Sequence, residues 1–367
     1  MEVKYSYLQE QFSNIDPYIE DIRKLVKQGD FTLGSAVDRF EEKFAELCGI
    51  PYAVGVSTGT DALALSLKML GVGHGDEVIT TPNTFIASVG AIAMTGATPV
   101  FVDNNDSYTI DPSLIEPAIN DKTKAILPVH LTGKPADMPE IMSIAKNHNL
   151  VVVEDAAQAI LASIDGKHVG SWGETAGFSL HPLKNLNVWG DGGIILTKSR
   201  DHYEKLRLYR NHGLSYRDEV VLFGNNCRLD SLQAIIAGRL VHQAKTITSQ
   251  RVSNAKSLDL GLRDLAPKIH IPDRPENMTQ VYHTYVIQVE DRDLLLKYLI
   301  SQGIHAKIHY PIPLHLQPAA AHLGYKKGDF PVCERQCQRI LTLPVHQHLT
   351  NIQIEYMIET IHNFYLR

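Results

Sequence analysis

Apolar residues recur at helical spacing twice before any extended run appears. Ile19, Ile22, Leu25 and Val26 predict one amphipathic helix over 17–28, and Val37, Phe40, Phe44 and Leu47 predict a second. Short apolar runs then alternate with helical stretches. Tyr52-Ala-Val-Gly-Val56 reads as a strand and 60–70 as a helix rich in Ala and Leu. Strands at 77–81, 98–102, 123–129, 150–154, 174–180 and 192–197 are interleaved with helices at 84–94, 112–119 and 137–148. Alternation over this length predicts an α/β fold with a mainly parallel sheet covered on both faces. In such sheets ligands sit at the carboxyl ends of the strands.

After Asp230 the pattern changes. A helix over 231–245 runs on as a long polar helix to about 264, and 265–280 reads as loop, with Pro267, Pro272 and Pro275. A strand at 281–289, a helix at 291–302, a short strand at 305–309 and helices at 331–339 and 350–365 make a second α/β unit. The boundary falls near 245, giving a large domain over 1–245 and a smaller C-terminal domain over 246–367. The N-terminal helix is expected to pack on the smaller one.

Composition narrows the function classes. With 367 residues, 44% apolar and 21% charged, the chain reads as an ordinary soluble protein of two units. A net charge of −6 argues against a nucleic-acid partner, which needs a basic face. No apolar run approaches membrane-spanning length, and Met1-Glu-Val-Lys-Tyr-Ser-Tyr7 lacks a signal-peptide pattern, so the expected compartment is the cytoplasm. Cys48, Cys227, Cys333 and Cys337 are too few and scattered for a disulfide framework, and none of the 17 histidines forms a His-Glu-x-x-His pair. No metal is expected.

Four stretches at strand ends carry candidate chemistry. Ser57-Thr-Gly-Thr-Asp61 puts Gly59 and Thr60 at a helix start, which reads either as a phosphate seat or as a plain N-cap. Phe85 follows the next strand and would stack on a flat ring or pack in the core. Glu154-Asp155 ends an apolar strand, where only one of the two acids can face the site. Asp155 could pair with a protonated pyridine nitrogen, with Gln158 reaching a ring hydroxyl, or it could cap a helix with Gln158 in solvent. Phe178-Ser-Leu-His-Pro-Leu-Lys184 then presents one lysine from a Pro-containing turn, ahead of Gly190-Asp-Gly-Gly193. A lone lysine is usually a surface charge. In a dry site beside a cation its pKa falls and it becomes a nucleophile.

Together these stretches resemble the DegT/DnrJ/StrS-type sugar aminotransferases over nearly the whole chain. Further matching pieces are Phe40-Glu-Glu-Lys-Phe44, Gly75-Asp-Glu-Val78, Leu127-Pro-Val-His-Leu-Thr-Gly133, Gly224-Asn-Asn-Cys-Arg228 and His309-Tyr-Pro-Ile-Pro-Leu-His315. The resemblance implies the aspartate-aminotransferase-like fold (fold type I), with a mainly parallel seven-stranded sheet and a smaller C-terminal α/β domain. It implies pyridoxal 5'-phosphate as cofactor, with pyridoxamine 5'-phosphate formed during turnover. Lys184 would be the Schiff-base lysine and Asp155 the partner of the ring nitrogen. Gln158 would hold the ring hydroxyl, Phe85 the ring face, and Gly59, Thr60 and Ser179 the phosphate. Asn226 would reach the phosphate of the neighbouring subunit's cofactor, implying a homodimer with shared sites. His181, Arg228, His309, Tyr310 and His315 would line the substrate side.

His181 stands where many members carry an aromatic residue, and Asn225 where a Tyr is common. The expected reaction moves an amino group from an amino acid, glutamate first, to a keto sugar on a nucleoside diphosphate, leaning to 3-keto over 4-keto. The alternatives are a nucleotide-free keto sugar acid as acceptor, a sugar dehydratase or eliminase, and a non-catalytic regulator of the same fold. The dehydratase branch carries histidine in place of the lysine, so Lys184 weighs against it.

Overall fold

The structure, a computed structural model, describes residues 1–366. Seven strands form the main sheet: β1 (Tyr52–Val56), β2 (Glu77–Thr80), β3 (Thr98–Phe101), β4 (Thr123–Ile126), β5 (Val151–Asp155), β6 (Thr175–Ser179) and β7 (Gly193–Thr197). They lie in the order β1-β7-β6-β5-β4-β2-β3. β7 runs antiparallel to both neighbours and the other pairings are parallel. β6 and β7 are buried along their whole length, which explains their unbroken small and apolar sequences. The helix Gly59–Met69 crosses one face, burying Ala62, Leu63, Leu65 and Leu67. The helix Ser35–Cys48 packs Phe40 and Phe44 with Phe178 on the other side of the core.

The second unit is built on a three-stranded antiparallel sheet of β8 (Ile269–His270), β9 (Tyr285–Val289) and β10 (Ile340–Leu343). The helices Ala244–Leu262, Arg292–Ser301 and Asn351–Tyr365 share its core, which gathers Leu258, Leu262, Ile287, Leu295, Leu341 and Met357. We place the boundary between the units at 245, where the helices before and after a short 3₁₀ turn divide between the two cores.

Several sequence expectations change. The helix predicted from 231 to about 264 is broken by the 3₁₀ turn Val241–Gln243 into Ser231–Leu240 and Ala244–Leu262. The segment 112–119 forms two 3₁₀ turns instead of a helix, because Pro117 removes a backbone donor in its middle, whereas Pro112 only opens it. The strand expected at 305–309 reduces to one bridge between Lys307 and Thr342. Among the elements not predicted, Arg200–Tyr209 is a helix with only Leu206 buried, β8 falls in a stretch read as loop, and β10 is four residues long and abuts the preceding helix.

The N-terminal helix does not pack on the C-terminal unit. Asp16–Gln28 lies against Ser231–Leu240, with Tyr18 in the large core and Arg239 Nε donating to Asp21 Oδ2 at 2.7 Å. Instead the residues ahead of it cross over. Val3 joins the smaller core and exchanges backbone hydrogen bonds with Gly303 and His305, both 2.9 Å.

A buried ion pair anchors β1. Arg210 Nη1 donates to Glu41 Oε1 and to the Gly55 carbonyl at 2.8 Å, while Gly55 N–H donates to Glu41 Oε1 at 2.7 Å. Both side chains are buried. Glu41→Ala strands the guanidinium and is expected to cost about 3–5 kcal/mol of stability in urea unfolding. A loss below about 1 kcal/mol, typical of an exposed pair, would contradict this.

Candidate active site

The carboxyl ends of β1, β2, β5 and β6 open into a cavity of about 340 Å³, closed from above by residues of the C-terminal unit and of the N-terminal segment. At the end of β1, Thr58 caps the helix Gly59–Met69 by accepting from Asp61 N–H at 2.9 Å. The cap leaves the first-turn N–H groups of Gly59 and Thr60 for a ligand. Gly59 is required there, because a Cβ would lie 2.8 Å from Ser179 Cβ. Cap and anion seat therefore coexist. Ser179 closes the third side, its Oγ 3.3 Å from His181 N–H.

At the end of β5 the two acids face opposite ways. Glu154 accepts from the N–H groups of Gly170, Trp172 and Gly173 at 2.8, 2.8 and 2.9 Å, with His130 Nε2 at 3.2 Å. It is a structural acid. Asp155 faces the cavity, accepting from Ser88 Oγ at 2.6 Å and Ala157 N–H at 3.1 Å. Burial pushes its carboxyl above the ordinary range, and the donors and Lys184 pull only partly the other way. Gln158 accepts from Thr132 N–H at 2.8 Å through Oε1, which leaves its amide NH₂ as the donor toward the cavity.

Lys184 sits in a locked turn. Its N–H donates to His181 O at 2.8 Å, its carbonyl accepts from Tyr7 Oη at 2.9 Å, and Asn185 Nδ2 donates to Val281 O at 2.9 Å. Burial lowers its amine to about 8, against the pull of Asp155 in the other direction. His309 stacks on Tyr5 at 5.8 Å, with Nδ1 3.0 Å from Thr342 Oγ1. Burial, Lys307 and Lys184 hold its imidazole down to about 4. Tyr310 lies 6.0 Å from Phe85 between ring centroids, and burial raises its phenol to about 12.

Of the residues singled out in the sequence, Gly59, Thr60, Phe85, Asp155, Gln158, Ser179, His181, Lys184, His309 and Tyr310 all line this one cavity. Phe85 is 52% exposed, so it is not core packing. Asn226 and Arg228 lie outside the cavity on the segment after Gly224, where Arg228 Nη1 donates to Asn211 Oδ1 at 3.1 Å. His315 does not reach the substrate side. It is buried against Phe330 and bonded to Glu334 Oε1 at 3.0 Å, so its role is in packing. The cavity also takes in Tyr5, Asp191, His283 and Lys307, and Ser88 supports it from behind. Of these, Asp191 lies in the glycine-rich stretch singled out above and Ser88 one helical turn beyond Phe85, while Tyr5, His283 and Lys307 had no local signal.

The arrangement fits pyridoxal phosphate. A buried carboxylate short of positive charge, an amine of lowered pKa, a donor amide and an N–H cradle that a Cβ would fill match the ring nitrogen, aldehyde, hydroxyl and phosphate respectively. Such a set defines a lysine-dependent transaminase site. The sequence profile of the DegT/DnrJ/EryC1/StrS aminotransferase family matches residues 14–362, and the chain belongs to that family. It is 40% identical to the "pleiotropic regulatory protein" of Geobacillus stearothermophilus over 368 residues, covering 100% of this chain and 99% of the relative. It is 40% identical to the dTDP-3-amino-3,4,6-trideoxy-alpha-D-glucose transaminase of Streptomyces venezuelae over 342 residues, covering 93% and 90%. The crystal structure of DesV from S. venezuelae superposes with a TM-score of 0.97 at 37% identity, covering 100% of this chain and 99% of that one. The protein is a pyridoxal-phosphate-dependent transaminase of fold type I.

The lowered amine gives a pH test. The free-amine fraction rises through about 8, so capture of the aldehyde by apoprotein should quicken about tenfold between pH 7 and 9 and then level off. Absorbance of the captured cofactor follows the rate. A rate still climbing nearly tenfold between pH 8 and 9 would place the amine at its ordinary value.

Proposed function

We propose that the chain transfers an amino group from an amino-acid donor, L-glutamate, to a keto sugar carried on a nucleoside diphosphate, at C3 in preference to C4. The observation that carries this reading is that Lys184 and Asp155 share one largely apolar cavity, which His181, His309 and Tyr310 also line. Support for the sugar and its C3 position comes from the similarity to a transaminase whose name specifies a dTDP-3-amino sugar. A regulator needs no lysine of lowered pKa, so the same cavity favours turnover over a purely regulatory role.

In this reading Gly59, Thr60 and Ser179 hold the phosphate, Phe85 covers the ring, Gln158 donates to its hydroxyl and Asp155 keeps its nitrogen protonated. When bound, the cofactor supplies the electron sink for charge developing at the substrate carbon. Lys184 takes the proton from that carbon as a free amine and returns it on the other side as a general acid. The locked turn keeps its stem fixed while the amine moves. Asp155 sits across the cavity as the fixed negative charge that this cycle requires. Asn226, exposed and outside the chain's own cavity, serves the site of a second copy, which makes the working unit a homodimer. Among the described residues no helix is long and apolar enough to cross a membrane, and we assign the protein to the cytoplasm.

Two measurements test the proposal. Lys184→Ala should abolish turnover, by at least about a thousandfold, while the protein still binds cofactor non-covalently. Incubation with nitrogen-labelled glutamate and a panel of 3-keto and 4-keto nucleotide sugars, with free keto sugar acids alongside, should give labelled amine on the 3-keto nucleotide sugar. A product that loses water and gains no label would defeat the transaminase reaction, and label on a free sugar acid alone would defeat the nucleotide.

A further inference from the structure

Two lysines reach the cavity wall among the described residues, Lys184 and Lys307. Lys307 is held in place without an acid. Its backbone exchanges hydrogen bonds with Thr342 at 2.9 and 2.8 Å, and its ammonium lies 4.5 Å from the centroid of the Tyr5 ring. Tyr5 in turn stacks on His309. Among the described residues the lysine and arginine ion pairs belong to Lys24, Arg200, Arg210, Arg239, Arg274, Arg292 and Arg335, and Lys307 makes none.

An amino-acid donor brings at least one ionised carboxylate into this largely apolar space, and burying it without a cation is costly. Lys184 cannot be its standing partner, because its amine is the reacting group. The cavity's imidazoles are poor candidates: burial and the nearby lysines disfavour their protonated forms at His181, His283 and His309. Lys307 remains. A lysine also suits a cavity that must admit two different substrates in turn, since its point charge on a flexible stem imposes no planar fork on the guest. The Tyr5 ring gives the ammonium an aromatic seat between visits.

We propose that Lys307, seated on Tyr5, is the cation that binds the carboxylate of the amino-acid donor and so sets donor specificity. The inference rests on the amino-acid donor reading above. It is tested on the cofactor-loaded protein with Lys307→Gln and Lys307→Arg, by single-turnover absorbance with glutamate and by calorimetric binding of glutarate, which carries carboxylates but no amine. In Lys307→Gln the half-saturating glutamate concentration and the glutarate Kd should both rise roughly ten- to a hundredfold. The limiting rate and the cofactor spectrum should stay within about threefold. Lys307→Arg should recover most of the affinity. Unchanged glutarate affinity in Lys307→Gln would overturn the proposal, as would a loss confined to binding of a nucleoside diphosphate, which would put Lys307 on the acceptor side. Wild-type protein that binds glutarate through Lys307 yet never reacts with any amino acid would sink the transamination reading alone.

Discussion

An amine and a carboxylate facing one poorly solvated cavity is the constraint on which this structure turns. Each alone would shed its charge: burial lowers the Lys184 amine and raises the Asp155 carboxyl, and each opposes that drift in the other. The balance leaves the lysine close enough to neutrality to attack a carbonyl. It also leaves the aspartate short of one positive charge, a deficit that a ring N–H⁺ fills. The protein thus stores part of its cofactor selectivity as incomplete electrostatic compensation.

Keeping that balance requires that neighbouring charges be tied off elsewhere. Glu154, one residue from Asp155, is turned away by the strand's alternation and spent on three backbone N–H groups and His130. Glu41 and Arg210 neutralise each other beneath β1, and Glu334 is bonded to His315. The cavity itself is left with few permanent charges. That economy is why one further cation, Lys307, has consequences for what binds.

The sequence made the main sheet legible because each of its strands is short, apolar and followed by a turn or helix start. Lys184, Asp155 and the Gly59–Thr60 seat were legible for the same reason, since ligands gather at strand ends. What escaped were contributions from distant chain segments. Tyr5, His283 and Lys307 reach the cavity only through tertiary packing, and their local sequence is that of any edge or loop. His315 failed in the opposite sense. Its motif neighbours His309 and Tyr310 face the site, but the chain turns at the 3₁₀ segment Leu314–Leu316 and buries the histidine in another cluster.

The distribution of these contributors says something about assembly. Lys184 lies between two strands of the large sheet, but its carbonyl is held by Tyr7, whose ring lies 5.1 Å from the Arg251 guanidinium. Arg251 is buried and donates to the carbonyls of Tyr282 and His283 at 3.1 and 3.3 Å and to Gln347 at 3.0 Å. One guanidinium therefore links the N-terminal segment, the long helix of the smaller unit and the wall of the cavity. A buried cation tied to neutral partners is stable only when all of them are present. The Lys184 turn takes one of its constraints from that cluster, so the geometry that tunes the lysine depends on both units rather than on the large sheet alone.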